Sequence, residues 1–243
     1  MEINRGVKTE YENDDILVIN KPAGLAVQDI STGTPAHRLD KQTSGLLALG
    51  KTPKGLEFLR GLFKSRSISK EYIALVYGQL EKHGVIDKPL VKIGHKGSSR
   101  VRVGDAGRPS KTEYWPLALY TLKPSPLAGE GASVLGRGEG AIDYFTLLRV
   151  KLHTGRTHQI RVHFLSEKHP VMGDDLYGKP ESQKLSSVLH RQFLHAAKLE
   201  FQLPDGTWLE IESSLPNDLQ TALDQLQNVN IKDQKLDPRS SRG

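Results

Sequence analysis

An α+β fold built on one mixed, largely antiparallel bent sheet flanked by helices is what this sequence predicts. Three observations carry that expectation. Short runs of β-branched and aromatic residues recur between Gly and Pro, few segments have a helical period, and strands do not alternate with helices as a parallel sheet requires.

The first run is DILVIN, residues 15 to 20, ended by the KPAG turn with Pro22 and Gly24. A second strand starts at Gly45 in GLLALGKT, and PKGLEFLRGLFKS follows with Pro53 at its head and Leu56, Leu59, Leu62 and Phe63 at helical spacing. KEYIALVYGQL, residues 70 to 80, reads as a strand, as do residues 99 to 103, 111 to 115, 144 to 151, 192 to 203 and 207 to 212. The second helix is THQIRVHFLSEKH, residues 157 to 169, with Thr154 or Thr157 as its cap, Ile160 and Phe164 towards the core and Pro170 as its stop. On that helix His158 and Arg161 share a face. Residues 122 to 141 are rich in Gly and Pro without any period and read as an insertion between strands, and the polar tail from Asn228 reads as disordered. The GEGASV segment within the insertion lacks the third glycine and the preceding strand of a dinucleotide loop.

Composition narrows the chemistry. The 243 residues include no cysteine, which excludes disulfides, thiolate catalysis and cysteine-held metal centres. Lysine and arginine number 34 against 28 acids, a net charge of +6 that favours a polyanionic partner. No apolar run is long enough for a membrane span and no leader is visible, so a soluble, cytoplasmic protein is expected.

Several residue clusters could carry function. Asp40, in HRLDKQTSG, is either a turn residue or a chemical carboxylate, and Gln42 stands where an aspartyl phosphatase would place its second acid. His153, His158 and His163 recur every five residues, a rotation of about 140° on a helix, so they do not converge on a metal. HTGRTHQIRVH joins Arg156 and Arg161 to three histidines with no acid, at a helix start suited to phosphate. From Lys92 to Lys111 the bases Lys92, Lys96, Arg100, Arg102, Arg108 and Lys111 face the single acid Asp105, and Arg100 and Arg102 alternate with valines, so that both leave one face of a ribbon. Tyr72 alone reads as a core tyrosine of a strand.

Jointly these stretches resemble the RluA-type family of RNA pseudouridine synthases. The resemblance rests on DDILVINKPAGLAV, HRLDKQTSGLLALGKT, KEYIALVYG, LHTGRTHQIRVHF, KHPVMGDDLYG and FLHAAKLEF, in family order over residues 10 to 215. It implies a catalytic domain over 11–215 with a central cleft, preceded by an extension over 1–10, interrupted at 122–141 and followed by a tail over 216–243. With about ten residues before the first motif, no N-terminal S4 RNA-binding domain is expected.

The activity implied is isomerisation of uridine in RNA to pseudouridine, with ribosomal RNA of the large subunit as first substrate and tRNA as second, no cofactor or metal, and a monomer. Asp40 would act on the sugar or base, Arg161 would pair with it, and Tyr72 would pack on the uracil and assist proton removal from C5. Arg38 would fill the stack vacated by the flipped base, and Lys21, Arg156, Arg100 and Arg102 would hold phosphates. A competing reading is an RNA-binding module that has lost its chemistry, and the presence of Asp40, Tyr72 and Arg161 together speaks against it.

Overall fold

The computed structural model describes residues 7–94, 100–123 and 142–229. The strands of the first half are β1 (Lys8–Glu12), β2 (Ile16–Lys21), β3 (Thr34–Pro35) and β4 (Ser44–Gly50), then helix α1 (Pro53–Ser65), then β5 (Ser69–Tyr77), β6 (Gly84–Asp87) and β7 (Leu90–Lys92). The second half adds β8 (Val101–Val103), β9 (Lys111–Leu122) and β10 (Tyr144–Leu152), helix α2 (Gln159–Ser166), β11 (Leu194–Gln202), β12 (Trp208–Glu212), α3 (Asn217–Asp224) and β13 (Leu226–Val229).

Among the described residues eleven strands join in one sheet with the path β1-β2-β4-β11-β5-β10-β9-β13, and β12, β3 and β6 pair beside it. All of its pairings are antiparallel except β4 with β11. The mixed, mainly antiparallel expectation therefore holds, and β7 with β8 makes a separate two-stranded ribbon.

That single parallel pairing explains where the site lies. Gly45 of β4 stands opposite Ala196 of β11, and Ala196 stands opposite Tyr72 of β5. A row of three strands thus brings the turn ahead of β4 and the middle of β5 to one end of the sheet. Glycine is required at 45 because its φ is +111° and a Cβ there would run into the backbone of Ala196. The two strands can meet only without a side chain between them.

α1 lies on this sheet through Leu59, which is fully buried with Ile16, Val18, Leu46 and Phe201. Thr52 caps it by accepting the Gly55 N–H, and Arg66 ends it with φ of +63°. Residues Leu17, Leu47, Val150, Ile160 and Phe164 form the main core under α2. Burying side chains of this size stabilises by roughly 1.5 to 3 kcal/mol each relative to leaving them exposed.

Four boundaries differ from expectation. α2 begins at Gln159 rather than 157, with His158 at its N-cap in the left-handed region at φ +54° and neither Thr154 nor Thr157 capping it. It ends before Pro170 because Lys168 turns left-handed at φ +66°, which interrupts the helical ladder. The tail expected from 216 instead folds at its start. Leu219, Ala222, Leu223 and Leu226 are buried, and β13 adds to β9 at the sheet edge. Likewise Lys8, Thr9 and Glu10, placed in an extension, pair in β1 or lie within it. The end of the tail and the expected insertion from 124 to 141 lie outside the described residues, and β9 and β10 pair on either side of that insertion as far as Thr121 with Tyr144. No helix among the described residues is long and apolar enough to cross a membrane.

Candidate active site

Asp40 sits in the turn that leads into β4. The turn is closed by backbone, since the Thr43 N–H donates to the Asp40 carbonyl at 3.0 Å, and the carboxylate is left for other work. Its Oδ2 accepts from Arg161 Nη1 at 3.1 Å, with the Asp40 side chain 23% exposed to a cleft. The turn is therefore made by backbone atoms, and the carboxylate faces the cleft.

Arg161 comes from the first turn of α2, and its guanidinium is hydrogen-bonded to two acids. Asp174, itself 1% exposed, accepts Nε and Nη2 at 2.7 Å each, leaving Nη1 for Asp40. The Asp174 carboxylate also accepts the Leu176 and Tyr177 N–H groups at 3.0 and 2.9 Å. Burial opposes the charge on Arg161, but the hydrogen bonds and charge of Asp174, joined by Asp40, outweigh it and lift the guanidinium further above its ordinary range. A buried fork of this kind is favourable only because almost every polar atom in it is paired.

His158 reaches the other oxygen of Asp40, with Nε2 3.8 Å from Oδ1. Its orientation follows from its neighbours. The Tyr177 hydroxyl accepts the Val101 N–H at 2.8 Å and is also hydrogen-bonded with His158 Nδ1 at 2.8 Å, which orients the ring so that Nε2 faces Asp40. Burial holds this imidazole below its usual pKa, with the charge of Asp40 acting in the opposite direction. The expected common face of His158 and Arg161 is thus present, although His158 precedes the helix.

Tyr72 is 7% exposed and lines the same cleft as Asp40, a cavity of about 570 Å³ walled also by Ile160 and Leu194. Burial, and then the Asp40 charge, push its phenol well above the ordinary tyrosine range, so it carries its proton at neutral pH. A second lobe of about 740 Å³ lies beyond, and both lobes are lined by Arg38, Asp40, His158 and Arg161. Arg38 is exposed at this divide, next to the carboxylate in space as in sequence.

The expected phosphate contacts fare unequally. Arg156 lines the cleft, with its Nε donating to the Pro109 carbonyl at 3.4 Å. Arg100 and Arg102 are exposed while Val101 is buried between them, as the alternation implies, and Lys92, Arg108 and Lys111 are exposed too. Lys96 lies outside the described residues. This ribbon borders α2 through Val101, Val162 and Tyr177 without lining the cleft.

Lys21 is a correction. Its side chain is fully buried, and its ammonium donates to the carbonyls of Pro22, Leu25 and Lys41 at 2.9, 2.9 and 3.1 Å. All three of its protons are engaged, so no phosphate can reach it. Burial, then repulsion from Arg191, lowers its pKa to about 8, with Asp40 opposing that shift. Lys21 ties the KPAG turn to the residue after Asp40.

Asp174, Tyr177 and Arg191 were not foreseen from the sequence. Arg191 donates to the Gln42 carbonyl at 3.1 Å and the Ser44 hydroxyl at 3.2 Å, so it grips the backbone on the far side of Asp40. One signal for Asp174 was available: a buried arginine demands an acid, and KHPVMGDDLYG is the conspicuous acidic stretch after it. No local pattern distinguishes Arg191 from an ordinary surface arginine. Among the described residues no cluster of His, Asp and Glu is arranged to hold a metal ion.

Comparison with known proteins bears on this geometry. The family profile described as RNA pseudouridylate synthase matches residues 31–166. The ribosomal large subunit pseudouridine synthase D of Nitrosomonas europaea is 34% identical over 251 residues, covering 92% of this chain and 66% of that protein. The ribosomal large subunit pseudouridine synthase C of Yersinia pestis is 36% identical, covering 88% of this chain and 67% of that one. The chain thus spans about two thirds of the length of these relatives. Among solved structures, human RNA pseudouridylate synthase domain containing 1 superposes with a TM-score of 0.72 at 24% identity over 94% of this chain and 91% of that one, a likeness of fold.

Proposed function

The chain belongs to the RNA pseudouridylate synthase family, and from that premise we propose that it isomerises uridine within RNA to pseudouridine, with Asp40, Tyr72 and Arg161 as its reacting and base-holding groups. Large-subunit ribosomal RNA is the first substrate on this reading, supported by the names of the relatives, and tRNA the second. The observation that carries the proposal is a carboxylate fixed by a buried arginine at the floor of a cleft that a tyrosine ring also lines.

The reaction breaks the C1′–N1 bond, turns the uracil, forms a C1′–C5 bond, and moves one proton from C5 to N1. It needs no redox partner or group donor. Asp40 either attacks carbon or takes a sugar proton, and on both routes the Arg161 guanidinium holds the carboxylate in place through its hydrogen bond. Because Tyr72 keeps its proton, its ring serves to stack on the uracil, a contact worth roughly 1 to 3 kcal/mol. The C5 proton then passes to another acceptor, and Asp40 is the one carboxylate lining that lobe. Both reacting carbons are inaccessible in a stacked helix, so the nucleotide must swing out, at a cost of a few kcal/mol. Arg38, exposed at the divide between the two lobes, is placed to occupy the vacated space.

The test is to map pseudouridines in cellular RNA with the chain present, absent, or carrying Asp40→Asn. A site that appears with the wild type and vanishes with the variant is the expected result. Full turnover by the Asn variant would sink the mechanism.

A further inference from the structure

The cleft that holds Asp40 and Tyr72 is lined by six permanent cations, Arg38, Lys64, Arg66, Lys70, Arg156 and Arg161, against the single carboxylate of Asp40, which Arg161 already occupies. Most of these have an evident place. Arg161 is paired, Arg156 donates to Pro109, and Lys64, Arg66 and Arg38 are exposed to solvent. Lys70 is different.

Lys70 stands two residues before Tyr72 on β5, so both side chains leave the same face of the strand. Its ammonium lies 5.3 Å from the centroid of the Phe63 ring and 3.4 Å from where a Cβ on Gly155 would stand. It therefore bridges the end of α1 and the turn before α2, inside the cleft wall. Among the described residues no carboxylate is within 4.0 Å of it, and it lies over that aromatic face. The side chain is half-buried, which lowers its pKa, and the ammonium faces the open cleft with no protein acceptor among the described residues. A cation left unpaired beside a reactive carboxylate is matched when an anion enters with the substrate.

We propose that Lys70 is an anion-binding residue of the cleft interior, which holds a backbone phosphate adjoining the nucleotide whose base lies on Tyr72. The proposal rests on the reading of RNA as the substrate. Lys64 and Arg66, exposed at the mouth of the same lobe, continue the positive path outward along the end of α1. The left-handed backbone at Arg66, which stops the helix, also turns the chain so that Lys70 enters the cleft two residues before Tyr72. The phosphate track then follows the α1–β5 corner, whereas the exposed bases of the β7–β8 ribbon, which line neither lobe, meet RNA farther from the reacting sugar.

The experiment measures binding of the full chain to a single-stranded oligonucleotide containing uridine, and to a transcript of large-subunit ribosomal RNA, across a series of salt concentrations. Lys70→Met keeps the apolar stem over Phe63 and removes the charge. It is expected to weaken binding about tenfold, the loss expected for one charge-assisted contact, and to make the slope of log affinity against log salt shallower by about 0.7 to 0.9, the value of one phosphate. Lys70→Arg keeps the charge and is expected to retain the slope. In turnover the Met variant should show its loss more in KM than in kcat.

A Met variant with the wild-type slope overturns the proposal, and so does one whose weaker binding accompanies a lowered melting temperature with no change of slope, since that marks Lys70 as packing for Phe63. Pseudouridine content is read separately in the same samples. A wild type that forms none defeats the reading of the activity, while the salt slope still decides the role of Lys70.

Discussion

Two buried arginines grip the Asp40 loop from opposite sides, and they do so by different means. Arg161 binds the carboxylate itself and is neutralised by Asp174, which is 1% exposed. Arg191 binds the loop's backbone at Gln42 and the hydroxyl of Ser44, and its acid, Asp218, has a side chain 51% exposed at the start of α3. Charge next to the Asp40 carboxylate has been taken out of water with its partner, whereas charge that shapes the loop keeps one face wet. Desolvation makes the first pair an all-or-nothing arrangement and leaves the second adjustable.

The largest effect should follow from Arg161→Ala, which strands two carboxylates, one of them wholly buried. Chemical denaturation should show a loss of about 3 to 5 kcal/mol, with turnover near background. Asp174→Asn comes next. It keeps the shape but removes the countercharge and turns one accepting oxygen into an NH2 that faces the guanidinium, and a stability loss of about 1.5 to 3 kcal/mol is expected together with slower turnover. A variant at 174 as stable and active as the wild type would break the contrast between the two arginines.

Arg191→Lys should cost about 1 to 2 kcal/mol and lower kcat more than it raises KM, because the lost fork positions the loop and does not touch RNA. The smallest effect belongs to Asp218→Asn, within about 1 kcal/mol, since its ion pair is half in solvent. If denaturation finds Asp218→Asn as damaging as Asp174→Asn, exposure is not what separates the two clamps.

Acid should act through the wet clamp's neighbour. His195 is fully buried between Ser44 and Ser213, and burial lowers its pKa to about 4. An unfolded histidine binds a proton from about pH 6.5 downward and the folded one only near 4, so the unfolded state gains as pH falls through that window. Up to about 3 kcal/mol of stability should disappear between those values, and a His195→Gln protein should lose less over the same range in thermal melts.

How much of this was legible before the structure varies by residue for physical reasons. The strands at 15 to 20, 70 to 80 and 144 to 151 were readable as short apolar, β-branched and aromatic runs bounded by turn residues, and the helix at 53 because its apolar residues recur at helical spacing. The start of α2 was misread because His158 adopts φ +54°, a conformation fixed by its contacts with Tyr177 and Asp40 and not by local preference. α3 looked like tail because its buried residues are few, and only their packing against Phe145 and Leu75 makes them core. Lys21 looked like a surface cation for the same reason: charge is visible in a sequence and three converging carbonyls are not.

The order of strands and helices, the positive balance, the exclusion of cysteine chemistry, and the singling out of Asp40, Tyr72 and Arg161 through their motifs were determined by the sequence alone, because each depends on neighbours a few residues away or on composition. The tertiary structure decided that Asp174 completes the guanidinium's coordination, that Arg191 holds the loop from behind, that Lys21 is interior, and that Lys70 faces the cleft without an acid. Those outcomes depend on groups up to 149 residues apart meeting in a medium of low polarity, where an unpaired charge or polar atom is penalised far more than in water.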